Sequence, residues 1–178
     1  MTLKRSRIIS SIGIFLLCFL FHFIYHWLPS TLTAIFFPVN ESIWEHMKLL
    51  FSAVIMYGII DYIILQKFKI KYNNFFTSLF VSALAIIPIY LIIFLPIYYK
   101  TGENMIIAIT IMAISIIISQ IISYYILKQE HLDKLNIISL ILIIVSYIVF
   151  AYLTYYPIKN ELFFDTQEEK YGLNNYNV

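Results

Sequence analysis

Five stretches of this chain are apolar over more length than a soluble helix needs: about 8–28, 43–66, 75–99, 104–127 and 135–156. They decide what it can fold into. A bilayer's hydrocarbon core takes roughly 20 apolar residues as a helix. Lipid offers backbone N–H and C=O groups no partner, so each stretch must bond its own backbone. The expected fold is therefore all-α. It is a polytopic membrane bundle of five transmembrane helices in a single integral membrane domain, 1–178, with a polar tail from 157 to 178. Only 12% of the 178 residues are charged, too few to coat a soluble domain of this size. The formal net charge of +2 is too small to suggest nucleic acid as a partner; the expected surroundings are the lipid bilayer.

Charge placement predicts the orientation. Five crossings put the termini on opposite sides. One side would hold Lys4, Arg5, Arg7, Lys67, Lys69, Lys71, Lys128 and Lys134, the other Lys48, Lys100, Lys159 and Lys170. By the positive-inside rule the N-terminus is cytoplasmic and the tail extracytoplasmic, in a cell membrane. The acids Glu41, Glu45, Glu103, Glu161, Asp165, Glu168 and Glu169 then fall outside or at the outer boundary. The first run is about twice a signal-peptide core and no small-residue cleavage site follows, so it reads as a retained span. The single cysteine, Cys18, permits no intrachain disulfide.

The later spans carry packing signals. Ser115, Ser119 and Ser123 recur every four residues. Such a stripe lets two helices approach closely, and it is the expected contact for a membrane-protein partner. Pro88 should free a carbonyl near Leu84 and kink the third span. Asp61, near the inner end of the second span, calls for Lys67 or Arg7 as its partner.

Chemistry concentrates where the second span begins, in "FFPVNESIWEHMKLLF", residues 36–51. Part of it is helix initiation. Ser42-x-x-Glu45 has the form of a capping box, Asn40 is an alternative cap, and acids in a first turn suit the helix dipole. His46 and the second glutamate are left over. The first span adds His22 and His26, four residues apart on one helical face, in "FHFIYH". By helical rise, His26 lies about 3 Å and His22 about 9 Å below that helix's outer end, and Glu45 and His46 about 5 Å below theirs. The four are roughly level. Ionisable groups at such depth face a protein interior or a wet cavity. They hold either a metal, for which zinc suits His and Glu ligands, or a hydrogen-bonded polar knot. The tail "YPIKNELFFDTQEEKYGLNNY" either docks across the outer face, bringing Glu161 or Asp165 towards the cluster, or lies along the surface. Tyr171-Gly172 reads as a turn.

"HFIYHW" followed by "PVNESIWEHMKLLF", five spans, and a tail with "P…LFFD…YG" resemble an uncharacterised family of small bacterial multi-pass membrane proteins, a domain of unknown function. The resemblance covers nearly the whole chain, and N-E-S-x-W-E-H, residues 40–46, is its most specific part. In that family's pattern a glutamate commonly stands at the place of His26. The resemblance implies a membrane class and a bacterial origin, and no reaction. Ser42-x3-His46 and His22-x3-His26 are also similar to motifs of seven-helix membrane hydrolases, among them alkaline ceramidases and adiponectin-receptor-like proteins. That similarity implies zinc and lipid-amide hydrolysis by analogy, although motif order and span count differ here.

The functional expectation is an outward-facing His/Glu site between the first two spans, binding a metal through His22, His26 and His46. One alternative is a metal-dependent hydrolase of a lipid amide or ester at the outer leaflet, with Glu45 or Glu41 as the base. Another is a transport, ligand-binding or partner subunit, in which Asn40, Ser42, Trp44 and Asp165 line a site for a lipid or small molecule. No phosphate-binding glycine loop or nucleophile elbow is present.

Overall fold

A computed structural model describes residues 1–102 and 104–173. Five long helices dominate: α1 (Leu3–Trp27), α3 (Ile43–Lys67), α4 (Phe75–Thr101), α5 (Met105–Leu127) and α6 (Asp133–Tyr155). A short α2 (Thr31–Phe36) lies between α1 and α3. Each long helix is apolar and long enough to cross a bilayer. Their outward faces carry exposed Ile12, Leu16, Ile63, Ile92, Ile117 and Ile148, a surface that only lipid covers at low cost. The chain is a multi-pass membrane protein with an all-α bundle. Glu103 lies outside the described residues.

The centre of the bundle is α3. In its apolar window 56% of residues are buried, against 22–33% in the other four spans. It packs on α1 and α4; α5 closes the ring between them, and α6 lies outside against α4 and α2. Close approach of α1 to α3 depends on Gly13, where a Cβ would run into the ring of Tyr57. The stripe Ser115, Ser119 and Ser123 faces inward and is fully or nearly fully buried. Ser123 meets Ser78 of α4 at 2.8 Å between hydroxyls. These small residues draw α5 onto its own neighbours, which leaves them unavailable to a second protein. Pro88 and Pro96 both lie within one continuous α4.

Two ends of the bundle can be told apart. At the lysine end, Arg7 of α1 pairs with Asp61 of α3 at 2.9 Å. Ser10 donates to the other Asp61 oxygen at 2.5 Å, and the same Arg7 nitrogen reaches Gln120 and Ser123, each at 3.3 Å. One charged group thereby ties α1, α3 and α5 together.

At the tail end the chain folds back after α6. A two-residue hairpin, β1 (Phe164–Asp165) with β2 (Lys170–Tyr171), is antiparallel. Gly172 follows with φ +53°, and a Cβ there would collide with the Thr154 carbonyl. That carbonyl accepts from Leu173 N at 3.2 Å. Only glycine lets the backbone lie so close to α6.

Candidate functional site

The residues of the N-E-S-x-W-E-H stretch divide by face. Ser42 caps α3, its hydroxyl accepting from Glu45 N at 3.3 Å. Asn40 Oδ1 accepts from Ser42 N at 3.0 Å, and Asn40 Nδ2 donates to the Gly172 carbonyl at 3.0 Å. Trp44 N donates to the Leu162 carbonyl at 2.8 Å, and its ring stacks on Phe163 with centroids 4.7 Å apart. Glu41 N donates to Asp165 Oδ2 at 2.8 Å. The tail is therefore docked, on the backbone and side chains that start α3. Asp165 is fully buried and its other oxygen accepts from Gln167 N and Glu168 N. It acts here as a hub for amides.

Glu45 points elsewhere. Its carboxylate meets Lys48 Nζ at 2.6 Å, one helical turn on. It also accepts from Val39 N at 3.1 Å and from the Thr154 hydroxyl at 2.7 Å. Lys48 completes the set by donating to the Ala34 carbonyl at 2.7 Å and to Thr154 Oγ1 at 2.9 Å. All three ammonium protons thus have acceptors. Both side chains are essentially inaccessible. This network joins α2, the 37–42 linker, α3 and α6, and engages both Glu45 oxygens.

The histidines gather on the adjacent face with Glu41. His22 Nε2 lies 3.6 Å from Glu41 Oε1, and His46 Nε2 lies 3.5 Å from Glu41 Oε2. The two imidazole centroids are 5.4 Å apart. One ligand atom from each of the three lies within 4.8 Å of the other two. Side-chain exposures of 28%, 32% and 35% make the cluster reachable from outside the protein. His26 is exposed at the end of α1 and is not in this group.

Hydrogen bonding defines one tautomer. His46 Nδ1 lies 3.0 Å from the Ser42 carbonyl. A carbonyl only accepts, so Nδ1 carries the proton, and in the neutral ring Nε2 presents a lone pair to the Glu41 carboxylate. Two acceptors at 3.5 Å repel unless a cation or a proton stands between them. Backbone-fixed imidazoles with the opposite nitrogen open are the usual arrangement at metal ligands. His22 Nδ1 is buried and has no hydrogen-bond partner among the described residues.

The sequence offers Glu45 or Glu41 as a base; Glu45 is paired with Lys48, and Glu41 lies between the two imidazoles. Lys48 and Thr154 went unremarked as partners of Glu45. The Glu45-x-x-Lys48 spacing was a visible signal for the first of these; nothing local marks Thr154.

The model of a family of unknown function, DUF6512, matches residues 1–173, and the chain belongs to that family. No curated protein and no solved structure matches it.

Proposed function

We propose that this family member is a membrane protein that holds a divalent transition metal at its tail-end surface through His22, Glu41 and His46. The observation that carries this reading is the convergence of His22 Nε2 and His46 Nε2 on the two oxygens of the Glu41 carboxylate, with His46 Nδ1 turned to the Ser42 carbonyl. Two nitrogens and one carboxylate suit zinc best among common metals. One ligand atom from each side chain lies within 4.8 Å of the other two, so a small closure of the cluster would bring them to the roughly 3.4 Å that two ligands keep around tetrahedral zinc. Three protein ligands on an accessible face leave a position for water or an exchangeable ligand, the pattern of a working site more than of a structural one. The positive-inside rule directs this face away from the cytoplasm.

Binding or transfer of the ion, or of a ligand carried on it, is favoured over hydrolysis. Glu45 is engaged by Lys48 and Glu41 belongs to the ligand set. A hydrolytic reaction would therefore rest on metal-bound water without a separate carboxylate base.

Detergent-purified protein equilibrated with zinc and passed through a chelating column should retain one zinc per chain. His22→Ala and His46→Ala should each abolish retention with helical content unchanged. Wild-type protein that retains none, while its circular dichroism shows a folded bundle, overturns the metal reading and leaves a protonated His–Glu ion pair in its place.

The tail should tune affinity. Asp165 holds the backbone of Glu41, and loss of such supporting contacts commonly weakens metal binding by 10–100-fold. Asp165→Asn is expected to lower zinc affinity in that range by competition against a chromophoric chelator. Unchanged affinity would show that Glu41 is positioned without the tail.

A further inference from the structure

We propose that a cleft at the lysine end binds the phosphate headgroup of an anionic membrane lipid. The cleft lies between the 68–74 linker and the C-terminus of α5. It has a volume of about 510 Å³ and is lined by Ile70, Lys71, Tyr72, Asn73, Leu127 and Lys128. That size accommodates a lipid headgroup with its glycerol.

Three observations converge on it. The walls are braced before any ligand arrives. Asn73 N donates to the Leu127 carbonyl at 2.9 Å, and Asn73 Nδ2 to the Gln129 carbonyl at 2.8 Å. Asn74 then donates to the Glu130 carbonyl and accepts from Leu132 N, at 2.8 and 2.7 Å. The linker is held in an unusual shape besides. Lys69 and Asn74 both adopt left-handed backbone, with φ 48° and 53°. Lys69 occupies the position after the α3 cap that glycine ordinarily takes.

Charge and level supply the rest. Lys71 and Lys128 line the cleft; Lys69 lies on the same linker as Lys71, Lys67 ends α3 and Lys134 lies in the first turn of α6. The acids near them in the chain are Glu130 on the α5–α6 connection and Asp133 at the start of α6, while Asp61 is engaged by Arg7. The Lys128 ammonium sits 5.2 Å from the centre of the Tyr124 ring. Tyr62 and Tyr125 are exposed at the same end, as rings at a headgroup boundary are. Exposed Ile121 and Ile117 on α5 continue from that boundary into the apolar face, where acyl chains would run. Basic pockets between helix ends at a membrane surface are suited to anionic headgroups. Helix C-termini alone would attract lysines, but they do not call for a braced cleft between them.

Native mass spectrometry of the protein in mixed micelles containing phosphatidylglycerol or phosphatidylcholine tests this. Phosphatidylglycerol should bind preferentially. Lys71→Gln and Lys128→Gln should each weaken it about fivefold and together about 30-fold, as expected for one surface lysine each. Lys4→Gln with Arg5→Gln, exposed cations of the same end that do not line the cleft, should change it less than twofold. An equal loss from the Lys4/Arg5 pair, or equal binding of phosphatidylcholine, overturns the proposal. Displacement of the lipid by equimolar inorganic phosphate overturns it too, because the cleft would then be a site for free phosphate. Retained helical content in the single-lysine variants separates lost binding from lost fold.

Discussion

Lys48→Met is expected to cost about 3–5 kcal/mol of stability, the range for removing one partner of a buried ion pair. The ammonium is fully enclosed and bonded to Glu45, Ala34 and Thr154. Without it, the Glu45 carboxyl is left buried with Thr154 and the Val39 amide as its remaining donors among the described residues, and the Ala34 carbonyl loses the ammonium that donates to it. Replacing Glu45 by Met as well should recover only part of the loss. The second change removes the unpaired buried carboxyl, but Ala34 O and Val39 N lose these side-chain partners, at roughly 1–3 kcal/mol each. Denaturant unfolding of the detergent-solubilised protein, followed by helical circular dichroism, reads both. A Lys48→Met variant within about 0.5 kcal/mol of wild type would show that this network does not hold the helices together. The same variant is informative about the metal site. The network sets the rotation of α3, so a large fall in stability with zinc binding retained would mean that the His22–Glu41–His46 face is fixed independently by the Ser42 cap.

The long helices were legible because each property that marks a span survives in one dimension. Length, continuity of apolar residues and the cations at alternate turns do not depend on what packs where. Short α2 was not legible. Its six residues are too few for a period to show, and its signal is Ser30 with Thr33, each bonding the other's backbone amide. A Ser-x-x-Thr pair is common in loops.

The site was legible in depth and not in face. Helical rise sets His46 near the level of His22, and their ring centroids are 5.4 Å apart. Successive residues on a helix also turn by about 100°, and this sends His46 towards α1 while Glu45 turns towards α6. Lys48, three residues on, returns to the Glu45 side, so the pair closes on itself. Glu41 precedes the helix, so no helical arithmetic could place it. Its position comes from the tail, through Asp165, 124 residues away in the chain. The serine stripe shows the same ambiguity: a four-residue repeat declares that something packs closely and does not say whether that is another protein or the neighbouring helix.

The pair at the other end permits a test in which the sign of an effect reverses. Asp61→Asn should be mildly destabilising in the wild-type background. It removes the carboxylate beside Arg7 but leaves an amide oxygen, and Gln120 and Ser123 still accept from the guanidinium. Arg7→Met should be the more damaging change, about 3–5 kcal/mol, because Asp61 stays behind, enclosed, with Ser10 as its one remaining side-chain donor among the described residues. In the Arg7→Met background the same Asp61→Asn change then relieves a buried, unpaired charge and should raise stability. A double-mutant cycle read by denaturant unfolding isolates this coupling. If Asp61→Asn destabilises equally in both backgrounds, the two groups act separately. The ion pair would then be an incidental contact between α1 and α3, and Gly13 against Tyr57 would have to set their approach unaided.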